Sequence, residues 1–185
     1  MSIADTNNHK RTNNIYLIGY MGVGKSTVGA LLAQHLQYQY IDLDAVIQAQ
    51  EGRSITAIFE TKGEAYFRQL ECKALHNTAT LSHAVIACGG GTPCYHNNMD
   101  WMLAYGISIW LKASIHTIMK RMQASELQQR PLLQGYTAAA LQQHVTATLL
   151  TRNLIYSRAH YTVIVDDMLA SQVVLSIATI ISDSK

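Results

Sequence analysis

The sequence predicts an α/β fold in which a parallel sheet is covered by helices on both faces. Three observations predict it. Short runs such as Ile15-Tyr16-Leu17-Ile18 and Ala84-Val85-Ile86-Ala87-Cys88 are apolar throughout, as strands buried from both sides must be. Segments with apolar residues at helical spacing alternate with these runs along the chain, the pattern of βα units. The first run also passes directly into Gly19-Tyr20-Met21-Gly22-Val23-Gly24-Lys25-Ser26-Thr27, which satisfies G-x-x-x-x-G-K-[ST] at every required position.

Taken in order, residues 1–14 are polar and Asn-rich and are expected to form a disordered tail before a single domain over 15–185. Strand one covers Ile15–Ile18, and Val28, Leu31, Leu32 and Leu36 recur at helical spacing after the loop, giving a helix over Lys25–Gln37. Tyr38–Leu43 is a second strand. Short helices follow over Ala45–Gln50 and Ser54–Lys62, separated by Gly52, with Ser54 as N-cap. A longer helix, Glu64–Thr80, starts after Gly63. Strand Ala84–Cys88 ends on Gly89-Gly90-Gly91, and a helix over Asn97–Tyr105 leads to strand Ile107–Leu111. Helix Ser114–Met122 precedes a polar stretch, Gln123–Gln129, and Arg130-Pro131-Leu132-Leu133. A long helix over Thr137–Ala159, a strand over Thr162–Val165 and a helix over Ala170–Ile181 complete the chain.

A chain of 185 residues can bury roughly 70% of its unfolded surface, which suits one domain with a real core. Fourteen Lys and Arg against twelve Asp and Glu give a net charge of +2, and the basic residues are scattered, so a nucleic-acid or membrane-surface partner is not expected. No apolar run approaches the length of a membrane span. Cys72, Cys88 and Cys94 are odd in number and lack a C-x-x-C spacing, which reads as reduced structural thiols in a cytoplasmic protein. A monomer is expected.

The loop carries the chemistry most directly. Its glycines let the backbone turn tightly and aim N–H groups at a phosphate, and the helix N-terminus adds partial positive charge. Gly22, Val23, Gly24, Lys25, Ser26 and Thr27 would hold the phosphates of a nucleotide. Lys25 reaches toward the β- and γ-phosphates, Ser26 ligates Mg²⁺, and Thr27 supports the loop. Ligands of such sheets sit beyond the carboxyl ends of the strands, and three further groups fall there. Asp42 and Asp44 lie two apart, so in an extended strand both carboxylates point one way. One suits a metal-bound water and the other a substrate hydroxyl, and the competing reading is that Asp44 caps the next helix. Gly89-Gly90-Gly91 follows a strand and reads either as a place where backbone approaches a ligand closely or as a flexible turn. Arg68 and Arg152 each lie in a helix, where a solvated face or a Glu64–Arg68 pair also accounts for them. Arg130 suits a lid arginine that brings charge to a transferring phosphoryl group.

Together these motifs resemble the shikimate kinases of the nucleoside-monophosphate-kinase-like P-loop group. The resemblance covers the chain from Ile15 onward: the loop, Ile41-Asp42-Leu43-Asp44, Ile58-Phe59-Glu60, Gly63-Glu64, Phe67-Arg68, Glu71, the triple glycine, Arg130-Pro131-Leu132-Leu133, and Arg152 followed by Tyr156 and Ala159. It implies three α/β/α layers around a five-stranded parallel sheet, with a mobile lid at about 123–136. It also implies ATP-dependent phosphorylation of the 3-hydroxyl of shikimate, a step of aromatic amino-acid biosynthesis, with Mg²⁺. Asp44, Arg68, Gly90 and Arg152 would hold shikimate, Gly89 and Gly91 flanking them. Lys25, Asp44 and Arg130 would serve catalysis, with Ser26 and, through water, Asp42 at the metal. A related small-molecule kinase would share the loop and sheet, and a guanine-nucleotide switch would share the loop. Paired arginines favour a compact carboxylate over gluconate or a nucleoside monophosphate, and no Asn-Lys-x-Asp segment supports the switch.

Overall fold

A computed structural model of the protein describes residues 13–123 and 137–183. Its centre is β1 (Ile15–Ile18), whose four side chains are all buried. Around it lie β2 (Gln39–Asp42), β3 (Ala84–Ala87), β4 (Ile107–Lys112) and β5 (Tyr161–Ile164), in the order β2-β3-β1-β4-β5 and parallel throughout. Leu17 pairs with Ala87 on one side and Ile109 on the other. The helices are α1 (Lys25–Leu36), α2 (Leu43–Glu51), α3 (Ile55–Asn77), α4 (Asn98–Tyr105), α5 (Ile115–Gln123), α6 (Ala138–Tyr156) and α7 (Ala170–Ser182).

The two-residue period of β1 divides the core. Ile15 and Leu17 face a cluster built from α1, α5, α6 and α7, including Leu32, Ile118, Val145 and Ile177. Tyr16 and Ile18 face the other layer, with Leu43, Ile47, Ile58, Phe67, Leu75 and Met102 from α2, α3 and α4. Each fully buried Leu or Ile contributes about 1.5–3 kcal/mol, so a strand buried on both faces anchors both layers. The expected three-layer α/β/α architecture with a five-stranded parallel sheet is therefore present, and the strand order reverses at β1, where the loop emerges.

Local signals account for most boundaries. Ser54 caps α3, its Oγ accepting from the Ala57 N–H at 3.2 Å, and Thr137 caps α6 in the same way at 3.3 Å. Gly63 interrupts α3 with φ 80° and ψ 171°, at the break expected between two helices.

Two expectations need correction. The second strand stops at Asp42 rather than Leu43, and α2 starts at Leu43, two residues before the expected Ala45. The cap of α2 is Asp42, whose Oδ1 accepts from the Ala45 N–H at 3.2 Å, and Asp44 sits in the first helical turn. The physical reason is that a carboxylate at this position satisfies an otherwise orphaned N–H, while Leu43 turns fully into the core. The tail boundary also moves, because Asn14 is completely buried. Its Nδ2 donates to the carbonyls of Thr78 (3.0 Å) and Leu81 (3.1 Å), and its Oδ1 accepts from the Ala84 N–H (3.1 Å). It thus pins the start of β1 to the approach to β3. The lid placed at 123–136, Arg130 included, lies outside the described residues apart from Gln123, which ends α5.

Asn14→Ala strips the buried Ala84 N–H and the part-buried Leu81 carbonyl of this partner, while the Thr78 carbonyl keeps the Leu81 N–H, and at about 1–3 kcal/mol for a buried group left unmade the loss is expected to be about 2–3 kcal/mol. Thermal unfolding should show the midpoint lowered by roughly 5–10 °C. A midpoint within about 1 °C of the parent would mean that the pin contributes nothing.

Candidate active site

The loop after β1 folds as its glycines dictate. Gly19 has φ 138° and sits against the Leu111 carbonyl, where a Cβ has no room, and Gly24, at φ 98°, occupies the N-cap of α1. No side chain caps this helix, so its first-turn N–H groups open toward the cavity in front of them, the arrangement that binds anions. Lys25 Nζ donates to the carbonyls of Gly19 (2.8 Å) and Tyr20 (2.9 Å), which folds the side chain along the loop.

Asp42 joins the loop to β2 and α2. While Oδ1 caps α2, Oδ2 accepts from Ser26 Oγ (2.9 Å) and Tyr40 OH (3.2 Å). Burial, together with the Asp42 charge, pushes the Tyr40 phenol up to about 12, so it remains a donor at neutral pH.

A second set of groups lies on α3, α6 and the triple glycine. Arg68 is buried, not on a solvated face. Its Nε and Nη2 donate to Glu64 Oε1 (3.1 and 2.8 Å), and its Nη1 donates to Glu71 Oε2. Its guanidinium also lies 4.4 Å from the Tyr95 ring centroid and 5.4 Å from that of Phe67. Glu71 is almost completely buried, and Thr92 Oγ1 donates to its other oxygen. Burial pushes the Glu71 carboxyl up, against the opposing pull of Arg68 and Thr92. On α6, the Arg152 guanidinium lies 5.7 Å from the Tyr20 ring centroid, and Tyr156, one turn on, donates to the Gly90 carbonyl.

Two of the three glycines are needed for space. A Cβ on Gly91 would lie 2.5–2.8 Å from three guanidinium atoms of Arg68. One on Gly89 would lie 2.6 Å from Glu71 Oε1 and 3.1 Å from Asp44 Oδ1. Gly90 stands between the loop and Arg152, with Met21 N 3.4 Å and Arg152 Nη1 3.5 Å from a built Cβ. None of the three has a positive φ, so close approach rather than backbone freedom selects glycine at 89 and 91, while a Cβ at 90 would make only ordinary contacts.

Two cavities result. One, of about 450 Å³, runs from the loop past Arg121 to Val165, Met168 and Val173. The other, of about 400 Å³, is lined by Ile55, Phe59, Arg68, Glu71, Gly91 and Arg152. They share Met21, Ser26, Asp42, Asp44, Gly89 and Gly90. An anion cradle and an arginine-lined pocket that meet at two carboxylates have the geometry of donor and acceptor sites for group transfer.

Comparison with known proteins agrees. A family model described as "Shikimate kinase" matches residues 21–182. The chain belongs to the shikimate kinase family. A shikimate kinase of Parabacteroides distasonis is 36% identical over 155 residues, 84% of this chain and 89% of that protein. One of a Sulfurihydrogenibium species is 38% identical over 166 residues, 90% of this chain and 96% of that protein. Among solved structures, a shikimate kinase from Acinetobacter baumannii in complex with shikimate superimposes with a TM-score of 0.86 at 32% identity, covering 94% of this chain and 95% of that one. A gluconokinase from Sinorhizobium meliloti, at 17% identity and a TM-score of 0.54, shares the fold alone.

For a shikimate kinase, the structure brings together all the expected site residues that it describes: Gly22 to Thr27, Asp42, Asp44, Arg68, Gly89 to Gly91 and Arg152. Arg130 lies outside the described residues. Two residues carry more than the sequence reading assigned. Glu71 holds Arg68 from inside the core, a role hinted at by its i,i+3 spacing. Arg121 donates to the carbonyls of Val23 and Val165, both at 3.0 Å, and so ties the loop to the end of β5; no sequence motif marks it.

Glu71→Ala removes one partner of a buried ion pair, for which the usual cost is 3–5 kcal/mol. Glu64 still holds the other side of Arg68, so a loss of about 3 kcal/mol is expected, read as a midpoint roughly 6–12 °C lower by calorimetry. An unchanged midpoint would show that Arg68 does not depend on Glu71.

Proposed function

We propose that the chain transfers the γ-phosphoryl of ATP to the 3-hydroxyl of shikimate, giving shikimate 3-phosphate and ADP, a step of aromatic amino-acid biosynthesis. The observation that carries this reading is the meeting of the two cavities at Ser26, Asp42, Asp44, Gly89 and Gly90. Triphosphate on the loop would direct its γ-phosphoryl at that junction, with the adenine toward Arg121, Val165, Met168 and Val173. A carboxylate held by Arg68 and Arg152 would place a ring hydroxyl at the junction from the other side.

The acceptor oxygen attacks phosphorus in line as the bond to the β-phosphate oxygen breaks, and ADP leaves. Such transition states are loose, so position and charge matter more than nucleophile activation. Lys25, swung outward from its loop carbonyls, neutralises the phosphates, and Arg130 of the lid assists it. Asp44 orients the hydroxyl and takes its proton late, at a carboxylate oxygen.

Mg²⁺ fits the residues present. Ser26 Oγ and Asp42 Oδ2 are hard oxygen donors 2.9 Å apart on the edge of the loop, and no larger cluster of metal-binding side chains exists among the described residues. That suits an ion bound mainly by phosphates and water, with Ser26 as ligand and Asp42 acting through water. When bound, it would supply charge neutralisation at the β- and γ-phosphates. Cys72, Cys88 and Cys94 are free thiols, in keeping with a cytoplasmic protein.

The direct test is ADP release from ATP with and without shikimate. Turnover that depends on shikimate supports the assignment, and equal turnover with gluconate or a nucleoside monophosphate would overturn it.

The two aspartates should separate. Asp44→Asn is expected to keep the fold and most ATP affinity but to lose turnover by about 10²–10⁴-fold, because an amide cannot accept the proton. Asp42→Asn should instead raise the Mg²⁺ requirement, with partial rescue by added metal, and lower the melting midpoint slightly through the weaker cap. If Asp44→Asn turns over normally, another group orients the hydroxyl.

A further inference from the structure

We infer that Glu64 is a built-in competitor of the acceptor's carboxylate for Arg68, and thereby sets the affinity and charge preference of the acceptor site. The inference rests on reading Arg68 as a carboxylate-binding residue. Glu64 Oε1 takes hydrogen bonds from both Nε and Nη2, which form one complete edge of the guanidinium. A bound carboxylate forms its two parallel hydrogen bonds along such an edge.

The two carboxylates on Arg68 are unequal. Glu71 has a side chain only 1% exposed, is fixed by Thr92 and cannot leave without stranding a buried charge. Glu64 is 47% exposed, directly follows the break at Gly63, and can turn into solvent at little cost. Arg68 does not need it for placement, because Glu71 holds Nη1 and the guanidinium packs against Tyr95, Phe67 and the bare backbone of Gly91.

Charge favours displacement. Arg68 already faces two carboxylates, and hydrogen bonds from Arg68 hold the Glu64 carboxyl below its ordinary range, so it is an anion at neutral pH. An incoming carboxylate would be the third anion on one guanidinium. When Glu64 swings out, one anion replaces another and the pocket's charge is unchanged. Tyr95 OH, which donates to Glu64 at 3.1 Å, is released in the same movement. A neutral acceptor leaves the Glu64–Arg68 pair intact and has no anion to displace, so the competitor narrows the site's preference for anionic over neutral acceptors.

The test uses the full chain with Glu64→Ala, Glu64→Gln and Arg68→Lys, reading KM and kcat for shikimate and for its methyl ester, with melting curves to verify folding. Removing a half-exposed ion pair from the competition should lower KM for shikimate by about two- to fivefold in Glu64→Ala, with kcat little changed. Glu64→Gln should give a smaller gain in the same direction. The methyl ester should show no gain. An unchanged or raised KM in folded Glu64→Ala would overturn the inference, since Glu64 would then be a bystander or a support for Arg68. An equal gain for the ester would overturn it too, because the effect would not pass through the carboxylate. Arg68→Lys distinguishes the two levels. If it raises KM for shikimate while Glu64→Ala does not lower it, only the competitor fails; if it leaves KM unchanged, the carboxylate-binding role of Arg68 fails.

Discussion

The buried pair of Arg68 and Glu71 is the constraint on which the acceptor pocket depends. Moving a charge out of water costs several kcal/mol even after relaxation, and the cost is offset only when the geometry is good and the remaining polar atoms are satisfied. That demand reaches well beyond the two residues. Glu71 needs a donor for its second oxygen, and Thr92 supplies one from a 3₁₀ turn that Asn98 holds through the Thr92 carbonyl at 2.8 Å. Arg68 needs room for a planar group beside backbone, which only a residue without a side chain gives at position 91. The pair, the turn after β3 and the triple glycine are thus one solution to a single electrostatic problem.

The donor side is organised by a different economy, in which one carboxylate serves three elements. Asp42 ends β2, caps α2 and accepts from Ser26 of the phosphate loop. The loop and the helix that carries Asp44 are therefore joined through one side chain. A displacement of the loop is felt at the start of α2, whose Asp44, Ala45 and Gln48 line the acceptor pocket. Arg121 makes the corresponding link on the other flank, from Val23 of the loop to the carbonyl of Val165. Between them, these contacts fix the loop against both outer parts of the sheet.

What the sequence made legible follows from how locally each feature is determined. The phosphate loop was readable because spacing, preceding strand and following helix all lie within about 25 residues and are set by backbone sterics. The inner strands β1 and β3 were readable because burial on both faces leaves them no polar residue to alternate with. The β2–α2 junction was misjudged because the two-residue period of a strand gives way to the helical period between Asp42 and Asp44, and either aspartate can cap. For Arg68, the i,i+4 partner Glu64 was visible, but burial was not. It depends on Gly91 and Tyr95, more than 20 residues away, and on Glu71, whose carboxylate turns inward. Arg121 had no signal at all, since its partners are backbone carbonyls, which any sequence provides.

The charges around the two cavities show why the site has to be adjustable. Lys25, Arg68, Arg121 and Arg152 line them, against Asp42, Asp44 and Glu71. With Glu64 on Arg68, the cations and carboxylates among the described lining residues balance. A balanced site does not attract two anionic substrates by net charge, and exposed charges are further screened by salt. Affinity must then come from directed hydrogen bonds, from the uncapped start of α1 on one side and from guanidinium edges on the other. Asp42 and Asp44, which repel both substrates, stand where the two cavities meet. On the proposed mechanism their charge costs binding on each side, yet it falls where a metal-bound water and a hydroxyl proton would be held. The carboxylates thus trade substrate affinity for placement of the reacting groups, which is where binding energy raises turnover instead of merely lowering KM.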